Sequence, residues 1–281
     1  MTAVVDILYR PRGRFAANHV GAHSSSEIGG FGVFRDQASF MRYPDARRID
    51  IRATLRDPFG ATYVRRFEQR AAIDVYALVD LSASMGFVGA ADRFRVAVEL
   101  CAALAYSATR IGDRFGLLPY DGALIDRSSS PATRSRSVAL AAVERLIGET
   151  PRGSSARGVL DATAALGATR KLVCLISDFR WPERLIELAF DALAPHDVAP
   201  IVLVDSVESA PPKWGMLQLR DSESGRRRSL LMRPALQRRW MAAEHARRQS
   251  LAHLLSRRSR APIYVADRFD PVDLSIRLTA A

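Results

Sequence analysis

Four short apolar runs separated by helical stretches constrain the fold of this chain more than any other feature. "AIDVYALVD" (72–80), "RFGLLPYDG" (114–122), "KLVCLISD" (171–178) and "VAPIVLVD" (198–205) read as strands. Residues 171–178 in particular are apolar at consecutive positions, as a strand covered on both faces must be. Between the runs lie "ADRFRVAVELCAALAYSATRI", "PATRSRSVALAAVERLIG", "SSARGVLDATAALG" and "WPERLIELAFDALAPH", each helical in pattern. Gly148 and Gly167 stand at the ends of two of them as C-cap glycines, and Pro182 lies near the first turn of the last. Strands alternating with helices of this length predict an α/β fold built on a mostly parallel, doubly wound sheet. Residues 72–281 form this domain. An inserted hairpin is expected at about 214–232 around Ser224-Gly225 after the last buried strand, and residues 1–71 form an N-terminal extended or β-rich arm.

The chain has 281 residues, 48% of them apolar, which suffices for a large buried core. No run of about 18 uncharged apolar residues occurs and the first residues lack the order of a secretory signal, so a cytoplasmic location is expected. Cys101 and Cys174 fall in apolar runs and read as small core hydrophobes, not as a bridge. The formal net charge is +11, and only Lys171 and Lys213 are lysines. The arginine excess is uneven: residues 226–260 hold eleven arginines and one acid, Glu244. That segment is a candidate surface for an acidic partner, a phosphate-rich polymer or an anionic membrane, although a solvated helix face is the more ordinary reading.

In an open parallel sheet, ligands gather beyond the carboxyl ends of the strands. Asp80 ends one predicted strand and Asp178 another, while the loop with Ser154 and Ser155 precedes a helix on the same edge. Ser82 and Ser84, two residues apart in "DLSASMGF" (80–87), can face one point. Two carboxylates and several hydroxyls are the oxygen set that a hard cation such as Mg²⁺ prefers. Neutral hydroxyls leave such an ion short of negative charge, which favours capture of an external carboxylate over hydrolysis.

Asp80-x-Ser82-x-Ser84 after an apolar strand, a hydroxyl opening a later helix and Asp178 closing "LVCLISD" resemble the metal-ion-dependent adhesion site of von Willebrand factor A domains. The resemblance implies Ser82, Ser84 and Ser154 (or Ser155, where the family has Thr) as direct ligands of Mg²⁺, Ca²⁺ or Mn²⁺, with Asp80 and Asp178 acting largely through water. Phe179 follows Asp178 where the family usually has Gly. The elements "GAHSSSEIGGFGVFRD", "YPDARRIDIRAT", "YVRRFEQ", "GDRFGLLPYDG" and "LQLRDSESG" are similar in order and spacing to domain-of-unknown-function family fifty-eight. That family is often encoded beside MoxR-type AAA+ ATPases and includes MxaS of methanol-oxidation operons. The resemblance covers residues 20–265, with Tyr43-Pro44 and Ile51 as departures from its pattern. It implies a non-enzymatic adaptor that presents a client, such as methanol dehydrogenase, to a MoxR-type ATPase for maturation or metal insertion.

Two other classes compete. A Mg²⁺-dependent phosphatase could use Asp80 as nucleophile, but Ser82 stands where a second Asp would act as general acid. A serine hydrolase lacks G-x-S-x-G, and the five histidines, His19, His23, His196, His245 and His253, lie in the arm or near helices. Nucleic-acid binding through "LQRRWMAAEHARRQSLAHLLSRRSR" would need aromatics among the arginines, and only Trp240 is present. Leu236, Trp240, Ala243, Leu251, Leu254 and Leu255 fall near one helical face, so packing onto the sheet accounts for them.

Overall fold

The computed structural model describes residues 6–13, 15, 20–29, 33–220, 226–256 and 258–280. The chain divides into two compact units, residues 13–73 and residues 6–12 with 74–280. In the smaller unit, β1 (Val20–Gly29), β2 (Val33–Ser39) and β3 (Tyr63–Ala71) form an antiparallel sheet in the order β1-β3-β2. A six-residue helix α1 (Ile51–Arg56) starts at Asp50, whose carboxylate accepts the Ala53 N–H at 3.1 Å, the bond expected of an N-cap. The same carboxylate also accepts from Gln37 and Arg65, each at 2.8 Å.

The larger unit is an α/β layer structure. Its strands β4 (Asp74–Asp80), β5 (Arg114–Tyr120), β6 (Ser130–Thr133), β7 (Leu172–Ser177), β8 (Asp197–Val204) and β11 (Ile263–Ala266) form one six-stranded sheet in the order β11-β8-β7-β4-β5-β6. All pairings are parallel except that of the edge strand β6. Helices α2 (Arg93–Arg110), α3 (Arg136–Ile147), α4 (Val159–Leu166), α5 (Glu183–Ala192), α6 (Ser206–Ser209), α7 (Pro234–Leu255) and α8 (Pro271–Thr279) complete it, with a hairpin of β9 (Gly215–Arg220) and β10 (Arg227–Met232).

The buried pattern of the strands explains the layering. β7 is buried at every position. Val173 and Leu175 join the core that holds α4, α5 and the end of α7, through Val159, Phe190 and Leu251, and the alternating residues point to the opposite face. There Cys174 lies, fully buried like Cys101 of α2, and both thiols are free. Gly116 of β5 has to be glycine, because a Cβ there would stand 2.3 Å from the Tyr76 ring.

Several sequence expectations need correction. Residues 130–133 pair with β5 as a strand, so the helix expected from Pro131 begins only at Arg136. Gly148 and Gly167 do cap the C-termini of α3 and α4, Gly148 in right-handed conformation (φ −73°) and Gly167 at φ +69°. Pro182 precedes α5 as its N-cap residue. β8 is not the last sheet strand: β11 follows, and the hairpin lies between the two. The expected turn at Ser224-Gly225 lies outside the described residues. On α7, Leu251 and Leu255 are buried and Leu236, Trp240 and Leu254 half-buried, but Ala243 is exposed. Among the described residues, no helix is long and apolar enough to cross a membrane.

Candidate functional site

The chain leaves β4 toward β5 on one side and leaves β7 toward β8 on the other, so the strand order reverses between β4 and β7. Such a switch point opens a crevice at the carboxyl ends of the strands. Val79 pairs with Ile176, which brings Asp80 beside Ser177 and puts Asp178 one residue further along the same edge. The third loop arrives by backbone pairing: the Ala83 N–H donates to the Gly153 carbonyl at 2.7 Å and the Gly153 N–H to Leu81 at 3.3 Å. A Cβ on Gly153 would lie 2.4 Å from the Asp121 side chain, so a residue without one belongs there. Asp80, Ser82, Ser84, Ser154 and Asp178 therefore all lie on loops that meet at one edge.

Asp80 is fully buried. Its Oδ1 accepts the Ser82 N–H at 2.8 Å, and its Oδ2 accepts from the Ser177 hydroxyl at 2.7 Å and the Trp181 indole at 2.8 Å. Burial, followed by the neighbouring charge of Asp178, pushes its pKa up to about 6 against those hydrogen bonds. Asp178 is neutralised instead: Arg93, equally buried, donates to its Oδ2 at 2.9 Å, while the Arg180 N–H donates to its Oδ1 at 3.1 Å. Arg93 also donates to the Ser84 carbonyl at 2.7 Å and to Glu208. The guanidinium thus ties the first loop, the second carboxylate and α6 together.

The serines are not spent on capping. Ser82 precedes a 3-10 turn (Ala83–Gly86) without a side-chain capping bond to it, its hydroxyl sharing a hydrogen bond with that of Ser84. The Ser82 and Ser84 hydroxyl oxygens lie 3.2 Å apart. Neighbouring ligands of an octahedral ion with bonds of about 2.1 Å are separated by roughly 3.0 Å. That pair therefore fits two adjacent positions of a Mg²⁺-like ion. Ser154 is exposed, whereas the Ser155 hydroxyl accepts the Arg157 N–H at 3.1 Å. Beside the carboxylates, the buried Tyr120 hydroxyl has no hydrogen-bond partner among the described residues, and its pKa is raised by burial, Asp80 and Asp178. A polar neighbour such as an ion's water shell would satisfy it. Among the described residues no three His, Cys, Asp or Glu side chains cluster so as to hold a metal ion, so a cation here would rest on the hydroxyls. The donor set fits a hard cation at Ser82 and Ser84 with Asp80 behind them; Asp178, already bound to Arg93, fits only an indirect role.

Ser177, Trp181, Arg93, Glu208 and Tyr120 were not among the sequence candidates. Ser177 and Trp181 flank Asp178 closely enough for a sequence signal, since any group beside a strand-ending Asp is a candidate partner. Arg93 and Glu208 carry none, because their proximity is created by packing alone. The Arg-rich segment is also less free than its composition suggests: Arg247 and Arg248 bind Glu244, Arg258 binds Asp191 and Arg260 binds Asp197.

Comparison with known proteins supplies the lineage. The uncharacterized protein Rv1480 of Mycobacterium tuberculosis is 27% identical over 218 residues, 75% of this chain and 67% of that protein. A Paracoccus denitrificans protein described as an uncharacterized protein in the moxR 3' region is 36% identical over 101 residues, 34% of this chain and 92% of that protein. Among solved structures, BatB from Bacteroides thetaiotaomicron aligns with a TM-score of 0.45 at 13% identity, covering 73% of this chain and 96% of that one. The model for the protein of unknown function DUF58 matches residues 40–250, and the chain belongs to that family.

Proposed function

We propose that the chain is a non-enzymatic interaction module of von Willebrand factor A type that captures a partner's acidic side chain through a divalent ion at the β4–β7 edge. The observation that carries this reading is the Ser82–Ser84 hydroxyl pair, 3.2 Å apart and unused by the backbone, with a buried carboxylate behind it. An ion there would offer a remaining coordination position to a carboxylate oxygen of the partner. The protein's own part is positioning: Asp80 holds the loop through the Ser82 amide, and Arg93 fixes the Ser84 carbonyl and holds Asp178 in place. Ser154 rather than Ser155 is the third hydroxyl in this reading, since Ser155 is engaged locally.

The partner we infer is a MoxR-type AAA+ ATPase, in keeping with the relative from a moxR 3' region. In this reading the protein works in the cytoplasm beside the ATPase as an adaptor, and the client is an enzyme undergoing maturation or metal insertion, methanol dehydrogenase being the case that the resemblance suggests. The phosphatase alternative is disfavoured by Asp80 itself: a nucleophilic carboxylate must reach substrate, and this one is buried with both oxygens accepting hydrogen bonds.

The test is recovery of the ATPase on the immobilised full chain with Mg²⁺ or with EDTA. Mg²⁺-dependent recovery that Ser82→Ala/Ser84→Ala abolishes is expected. Equal recovery from both proteins under both conditions removes the ion from the mechanism.

A further inference from the structure

Beside the loop that carries Ser82 and Ser84, and lined by its residues Ala83 and Gly86, runs a groove of about 1040 Å³. One wall is the loop after β4, with Phe87 and the exposed Val88; the other is the hairpin, where Leu217 and Leu219 stand opposite Leu230 and Arg228 on one face of β9–β10. Trp240 of α7 lines it as well, half-buried, its indole N–H donating to the Glu208 carbonyl at 2.8 Å. The volume is at the upper limit for small-ligand pockets, and the lining combines apolar walls with charge of one sign. Arg152, Arg180, Arg226 and Arg228 border it against one acid, Glu208, which already binds Arg93 and Arg180. Arg152 and Arg228 are exposed and form no ion pair with the described residues.

We infer that this groove docks an acidic, apolar-bearing polypeptide segment of the partner, with apolar side chains between Val88 and the hairpin and carboxylates against Arg152 and Arg228. Charge complementarity selects this occupant. A neutral apolar segment would leave the guanidinia without partners, and a basic one would be repelled. A nucleic acid would lack counterparts for the aliphatic walls. The inference rests on the proposed function for the identity of the edge, yet the groove's contribution is independent of any ion. Arg93, stacked on the Phe87 ring at 5.3 Å from its centroid and bonded to Glu208, joins groove and hydroxyl site into one rigid surface.

The probe is a fluorescein-labelled peptide of alternating Glu and Leu, with a Lys-Leu counterpart, titrated with the full chain and read by anisotropy. The Glu-Leu peptide is expected to bind in EDTA, more weakly as salt rises. Arg152→Glu/Arg228→Glu should weaken it by roughly tenfold or more in both EDTA and Mg²⁺. Val88→Asp, on the opposite wall, should weaken it too, and Ser82→Ala/Ser84→Ala should remove only a gain seen with Mg²⁺. Arg152, Arg228 and Val88 are exposed, Ser82 is buried and Ser84 half-buried, and an unchanged thermal midpoint shows each variant folded. No binding in EDTA, equal binding of the Lys-Leu peptide, or affinity unmoved by the arginine variant overturns the groove. Binding that depends on the arginines yet never on Mg²⁺ keeps the groove and overturns the ion site instead.

Discussion

Phe179 occupies the left-handed region at φ +51°, directly after Asp178, where a glycine would be free of strain. It persists because its ring is buried, 5.1 Å from Trp181 and 6.3 Å from Phe190 between centroids. Strain at such a residue is about 1–3 kcal/mol, less than the 3–5 kcal/mol or so lost when a buried Phe is truncated. Phe179→Gly is therefore expected to lower stability, by about 2 kcal/mol in urea denaturation; a gain would show that the ring packs poorly. Arg93 is a second residue whose role is legible only in three dimensions. Arg93→Ala strands the buried Asp178 carboxylate, and a loss of about 3–5 kcal/mol is expected by the same measurement. In the sequence it was an unremarked arginine at the start of a helix. Asp80 and Asp178, by contrast, were readable because each ends an apolar run.

Buried polar hubs contribute at the scale of elements. The segment from Asp6 to Arg12 and the helix α8 are tied to β8 by Arg260, which is buried. It donates to both oxygens of Asp197 at 2.9 and 2.6 Å, to the Leu278 carbonyl at 2.7 Å and to the Arg10 carbonyl at 2.7 Å. The Arg12 N–H adds a bond to Asp197 at 2.6 Å. Arg260→Ala should cost about 3–5 kcal/mol, and faster amide exchange confined first to α8 and residues 6–12 would locate the loss. In the smaller unit Asp50 plays the matching part for α1. Its hydrogen bonds from Arg65, the Ala53 amide and Gln37 hold its pKa well below the usual carboxylate range. A depressed carboxylate stabilises the fold above its unfolded pKa, about 3.9, and the contribution is lost as pH falls through the folded value. Asp50→Asn should thus be less stable than wild type at pH 7, and the difference should shrink progressively below about pH 4. A gap that stays constant with pH would deny the ionised carboxylate its role. Gln37 and Arg65 reach Asp50 only because β2 and β3 pair.

At the scale of the molecule, the chain combines an arginine-rich surface with an edge that concentrates oxygen donors. Trp181 supplies a reporter for that edge, since its indole N–H rests on the Asp80 carboxylate. Titrating Mg²⁺ should change tryptophan fluorescence saturably in wild type and not in Trp181→Phe or Ser82→Ala/Ser84→Ala, although Trp214 and Trp240 remain; a flat wild-type titration would argue against ion binding. Apolar runs and their spacing sufficed by themselves to specify an α/β sheet with helices on both faces, and to bring Asp80, Ser82, Ser84 and Asp178 to its carboxyl edge. That much is local information, because strand burial and chain direction follow from the order of apolar and polar residues. Tertiary structure alone decided which donors each carboxylate has, that Asp178 is neutralised by Arg93 while Asp80 is not, and that the hairpin and Trp240 wall a groove beside them. The physical reason is that these pairings join residues as much as 101 positions apart. Their energies depend on burial and on hydrogen-bond distances of about 3 Å, which no linear pattern encodes.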